Sequence, residues 1–131
     1  MEREEVRRQL DKILSSSAFS YAPRAQLLLR FVVEEKLAGR ASEVNEAALA
    51  ERVFNLAADS DRSGNSIIRT EAAHVRRRLR TYYRGEGGAD SVIIGLPRWG
   101  YVPSLRTRGG SWRRLGAFLS RLWPGESAPS K

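Results

Sequence analysis

The chain has 131 residues, 41% of them apolar, and a formal net charge of +8. That length sets one domain with at most a tail, and that apolar fraction supports a modest core rather than a disordered chain. The absence of cysteine excludes disulfides, zinc thiolates and cysteine nucleophiles, and a lone histidine excludes a histidine metal cluster or a histidine-paired nucleophile.

The charge is unevenly spread. Residues 1–61 hold 9 basic against 11 acidic side chains, net −2, whereas residues 62–131 hold 14 against 4, net +10. The second half therefore calls for an anionic partner, nucleic acid or an acidic membrane surface. Only Lys12, Lys36 and Lys131 among the 23 basic residues are lysines. Arginine suits bidentate contact with phosphate or guanine, although a GC-rich coding sequence produces the same bias. The N-terminal MEREEVRRQL lacks the apolar core of a signal peptide, and no apolar run approaches the ~18 residues of a membrane span. A soluble cytoplasmic protein is expected.

Val6, Leu10, Ile13 and Leu14 recur at helical spacing over residues 2–15, with Glu2, Glu4 and Glu5 in the first turn. This predicts an amphipathic helix ended by Ser15–Ser17. A second helix starts near Ser20–Pro23 and carries a wide apolar face of Leu27, Leu28, Phe31, Val32 and Leu37, with Gly39 at C′. Ser42 is the expected N-cap of a shorter third helix through Val44, Ala48, Leu49 and Val53–Phe54. Residues 55–65, NLAADSDRSGN, read as a loop.

Asn65 or Ser66 caps the fourth helix, which runs through Tyr83. Its apolar stripe is Ile68, Ala72, Val75, Leu79 and Tyr82, spaced 4-3-4-3. At ~100° per residue, Arg69, Ala73, Arg76, Arg77, Arg80 and Arg84 fall on neighbouring and opposite faces. Gly85, Gly87 and Gly88 end the helix. SVIIGL is strand-like, Pro97–Gly100 turn-like, and YVPSL returns as a tight hairpin. A lone hairpin is marginal in water, so Val92, Ile94 and Tyr101 are expected to pack on the helices. The domain thus spans residues 1–106, and residues 107–131 form a basic linker and amphipathic tail. Within the tail, WRRLGAFLSRLW places Trp112, Leu115, Phe118 or Leu119, and Leu122 at helical spacing, and PGESAPSK reads as disorder. Docking of the tail on the domain or on a partner is favoured over a membrane contact, for which about a dozen residues are short.

Helix, short helix, arginine helix and hairpin are the parts of a helix-turn-helix with a wing, which puts one helix in the major groove and the wing on backbone or minor groove. The recognition helix spans about 66–83 and the wing about 92–104. In the N-terminal half of that helix, Ser66, Arg69, Thr70, Ala73 and Arg76 or Arg77 are the candidates for base edges; Arg80 and Arg84 are assigned to phosphates. At the wing tip, Arg98 suits a minor groove or a phosphate. Trp99 either stacks on the DNA backbone or packs against the end of the fourth helix. His74 is expected at a surface or half-buried position, and Asp59 and Asp61 as solvated loop acids. There is no GxxxxGK[ST] phosphate loop and no defensible catalytic site, so no enzyme activity, cofactor or metal is expected.

SIIRTEAAHVRRRLRTYY at 66–83, together with LPRWGYVP at 96–103, resembles the end of the OmpR/PhoB-type winged helix. Val75–Leu79 corresponds to the helix portion and Pro97–Tyr101 to the wing. RFVVEEKLAGR at 30–40 is similar to a group of bacterial N-terminal winged-helix domains found ahead of varied C-terminal modules, and the likeness spans about residues 5–106. The resemblance implies a mainly α fold with a small C-terminal β-hairpin, a winged helix-turn-helix with a three- to four-helix core. It implies double-stranded DNA binding as a bacterial transcriptional regulator, with a homodimer possible and RNA polymerase contact through the 55–64 loop. The chain departs from the pattern at three points: no N-terminal β-sheet is predicted, arginine falls at Arg98 rather than at Pro97, and Ala73 and His74 stand where the closer group has two basic residues. The rival expectation is a winged-helix protein-interaction module that docks an acidic partner, with the tail as anchor.

Overall fold

The computed structural model describes residues 2–55 and 62–108. Four α-helices precede a hairpin: α1 (Arg3–Leu14), α2 (Pro23–Leu37), α3 (Glu46–Arg52), α4 (Arg62–Arg84), β1 (Val92–Gly95) and β2 (Ser104–Thr107), with a 3₁₀ turn at Ala41–Glu43 before α3. The described residues are mainly helical with one small antiparallel sheet. The tail beyond residue 108, and the loop expected to meet RNA polymerase from residue 56 to 61, lie outside them.

The first helix forms as its spacing predicts: Val6, Leu10, Ile13 and Leu14 are buried, and the Glu5 carboxylate accepts the Glu2 N–H at 3.1 Å. Proline opens α2. Its C-terminus closes in a Schellman motif, with Gly39 at φ +82°, the Gly39 N–H on the Lys36 carbonyl and the Arg40 N–H on the Glu35 carbonyl. The apolar face of α2 differs from expectation at Leu27, which is 52% exposed. The buried set is Ala25, Leu28, Leu29, Val32 and Val33. Leu27 lies about 200° from Ala25 around the helix, on the solvent side.

Two further expectations are corrected at helix starts. Asn45, not Ser42, caps α3: its side-chain oxygen accepts the Ala48 N–H at 2.9 Å, while Ser42 lies in the 3₁₀ turn. The fourth helix begins at Arg62, so Asn65 and Ser66 lie inside it. Once the buried stripe nucleates a helix, extending it through polar residues costs little, and composition alone misses this.

Ile68, Ala72, Val75, Leu79 and Tyr82 are all buried, and α4 packs on α2 and α3 while α1 packs on α2 and β1. The strands pair antiparallel with Val92 opposite Thr107 and Gly95 opposite Ser104. The hairpin is not tight. Residues 96–103 separate the strands, and Pro97 and Pro103 offer no N–H to a ladder there. β2 also runs past residue 106, and the Arg108 N–H bonds the Ser91 carbonyl. Val92 and Ile94 are buried and Tyr101 half-buried against the core.

A polar junction pins the end of α4. The Tyr82 hydroxyl, Gln9 Nε2 (2.8 Å) and Lys12 Nζ (2.7 Å) all donate to Asp90. The Tyr83 hydroxyl donates to the Val92 carbonyl and accepts the Ile94 N–H, both at 2.9 Å. Helix α1, the end of α4 and β1 are thereby fixed to one another. Among the described residues no helix is long and apolar enough to cross a membrane.

Candidate nucleic-acid interface

Burial of the Ile68–Tyr82 stripe turns the opposite side of α4 to solvent. Thr70, Ala73, Arg77, Arg80 and Arg84 are exposed there. Ser66 is part of the α4 backbone, and its side chain lies outside the described residues. Between the strands, Arg98 and Trp99 are both exposed, with the Arg98 guanidinium 5.6 Å from the centre of the Trp99 ring. Trp99 is 83% exposed, so packing against the end of α4 is not its role.

Two arginines assigned to base edges have intramolecular work. Arg76 Nε donates to the Pro97 carbonyl at 2.8 Å and Nη2 to the Gly100 carbonyl at 3.1 Å. Gly100, at φ +82°, takes a backbone shape that side chains rarely adopt. Arg76 thus carries the loop rather than projecting from it. Arg69 Nε donates to Glu46 Oε2 at 2.9 Å, and the Tyr101 hydroxyl donates to the same oxygen at 2.6 Å. One carboxylate therefore joins α3, α4 and the return of the loop. A third arginine, Arg78, points to the other flank and donates to the Ala18 carbonyl at 2.9 Å.

The electrostatics follow these contacts. The Tyr101 hydrogen bond, helped by Arg69, holds the Glu46 carboxyl below its ordinary range against the opposing effect of burial. Burial, and then Glu46, push the Tyr101 phenol up to about 12. Burial pushes the Arg76 guanidinium down, and the positive charge of Arg98 adds to that. Residues 62–108 hold ten basic against three acidic side chains. The charge of this half therefore gathers on α4 and the hairpin. His74 is half-buried, with Nδ1 3.6 Å from the Glu71 carboxylate. Among the described residues no group of three or more His, Cys, Asp or Glu could hold a metal.

Glu46 and Tyr101 are the site residues that spacing missed. They lie 55 positions apart. Neither periodicity nor a local motif links them, and only the fold brings them together. No protein-family model, curated protein or solved structure matches the chain. The geometry alone carries the functional reading.

Proposed function

We propose that this chain is a winged helix-turn-helix protein that binds double-stranded DNA and regulates transcription in the bacterial cytoplasm. In this reading α4 enters the major groove and the 96–103 loop is the wing. The observation that carries it is the one-sided display on α4, with Arg77 and Arg80 exposed opposite the buried stripe and the Arg98–Trp99 tip tied to the same helix by Arg76. Arginines on a rigid helix neutralise phosphates, and a fastened loop beside it reaches the adjacent backbone.

Titration of a duplex at two salt concentrations tests it. Each phosphate contact lowers log K by about 0.9 per unit of log salt, so several contacts give a steep dependence. Absence of binding at low salt, or binding indifferent to salt, refutes the proposal. Selection from a random duplex pool adds the site itself, and a repeated half-site would report a dimer. The exposed Trp99 beside Arg98 also suits an acidic protein surface. Retention of an acidic protein with no retention of duplex would favour that second reading.

A further inference from the structure

Arg69 lies on the N-terminal half of α4 with its side chain 67% exposed, yet it is already paired with Glu46. The pairing changes what Arg69 suits. A carboxylate at 2.9 Å offsets much of the guanidinium charge and repels a phosphate brought to the same place. It does not repel a neutral acceptor edge. The bond uses Nε, which restrains the planar guanidinium and leaves its outer Nη1–Nη2 fork out of that bond. That fork matches the paired O6 and N7 acceptors of guanine in the major groove. Holding the plane in advance reduces the rotamer freedom lost on binding. One turn further on, exposed Ala73 presents only a methyl group, so the helix backbone can approach the groove closely. Arg77 and Arg80 differ, since among the described residues no ion pair engages either.

We infer that Arg69 reads a guanine, and that Glu46, as a positioning residue, makes it a base reader rather than a phosphate contact. The inference rests on the DNA-binding reading above and assigns a base and a residue to it. Tyr101 donates to the same oxygen of Glu46 from the wing side, but the Arg69–Glu46 bond does not depend on it.

The test uses the full chain and its Arg69→Ala, Arg69→Lys, Glu46→Gln and Tyr101→Phe variants. Duplexes are selected from a random pool with the unaltered chain, and single-base variants of the winner are then titrated at two salt concentrations. Arg69→Ala and Arg69→Lys are each expected to lose discrimination for guanine at one and the same position, by about tenfold or more, with the salt slope unchanged. Glu46→Gln relaxes that position too, and Tyr101→Phe retains it, because the Arg69–Glu46 bond survives. Thermal melts of each variant separate loss of recognition from loss of fold, and Arg69→Lys, which keeps charge and length, serves if Arg69→Ala melts early. A uniform loss across all duplexes with the salt slope reduced by about one marks a phosphate contact and overturns the inference. So does duplex binding by the unaltered chain that Arg69→Ala leaves unchanged. Failure of the unaltered chain to bind duplex at any salt overturns the DNA reading itself, and this assignment with it.

Discussion

Arg76 donates from Nε to the Pro97 carbonyl at 2.8 Å, fastening the middle of α4 to the loop between the strands. An arginine in that place on a cationic helix reads, by charge, as a DNA contact. By geometry it is a strut. The Arg98–Trp99 tip inherits its position from this bond and its neighbour at Gly100. The arginines of α4 thus divide by partner: Arg76 and Arg78 on backbone carbonyls, Arg69 on a carboxylate, and Arg77 and Arg80 in solvent.

Arg76→Ala and Arg77→Ala are therefore expected to differ in kind. On charge alone, replacing both removes DNA binding and leaves the melting temperature nearly unchanged. With the bonds in view, that expectation holds for Arg77 only. Losing the two Arg76 bonds to the loop costs about 1–2 kcal/mol, a fall of roughly 5 °C in melting temperature. Arg77→Ala is expected to stay within about 0.5 kcal/mol of the unaltered chain and to lower the salt slope of duplex binding by about one. Differential scanning calorimetry and duplex titration of the two single variants separate these effects. Equal melting temperatures would remove the strut.

The core of this domain was legible in the sequence because it rests on local periodicity. Val6–Leu14 and Ile68–Tyr82 announce their buried faces by spacing alone, and both faces are buried. Leu27 misled because α2 is apolar nearly all round, so its hydrophobicity does not say which side is solvent. Asn45 and Ser42 are equal as caps in chemical terms, and only the 3₁₀ turn that takes up Ser42 decides for Asn45. The roles of Arg69 and Arg76 were hidden for a different reason. Their partners Glu46, Pro97 and Gly100 are distant in sequence, and charge patterning cannot tell a solvated arginine from a paired one.

Gly87 is expected to tolerate no side chain. A Cβ there would stand 2.1 Å from the Tyr82 ring, and the Gly87 N–H bonds the Tyr82 carbonyl at 2.7 Å. Gly87→Ala must push the ring aside and with it the hydroxyl that donates to Asp90. Overpacking of this kind costs about 1–3 kcal/mol, and urea unfolding should show it as a lowered midpoint at unchanged slope. A midpoint equal to that of the unaltered chain would mean that Tyr82 has room to move.

Acid should unfold the domain through its paired carboxylates. Burial raises Asp90, but the donors Gln9, Lys12 and Tyr82 together outweigh it, and its net shift is downward from 3.8. Glu35 is lowered from 4.5, chiefly by the Arg40 hydrogen bond, and Glu86 by the Ser17 hydroxyl. A carboxyl with a depressed folded pKa contributes stability that is present above its unfolded value and lost as pH falls through the folded one. Stability is thus expected to be level above about pH 5 and to decline progressively below about pH 4. Urea midpoints measured from about pH 6 down to about pH 2 check this. Asp90→Asn should be less stable at neutral pH, since an amide cannot serve all three donors, and should show a shallower acid decline. An unchanged acid profile in that variant would remove Asp90 from the group of carboxylates responsible.

Arg98→Ala and Trp99→Ala are expected to weaken duplex binding in distinguishable ways. Both side chains are exposed at the loop tip, and neither contributes to the core, so the melting temperature should hold for each. Arg98 brings charge. Its loss should remove one counterion-releasing contact and lower the salt slope by about one. Trp99 brings area without charge, so its loss should leave the slope unchanged. An aromatic contact worth about 1 kcal/mol corresponds to roughly a fivefold loss of affinity. The pair stacks at 5.6 Å, which couples them: without Trp99 the guanidinium loses its platform, and the double variant should lose less than the two single losses combined. A complete double-mutant cycle at two salt concentrations measures this. Losses that simply add, with Trp99→Ala changing the slope as much as Arg98→Ala, would mean that the tip does not act on DNA as one unit.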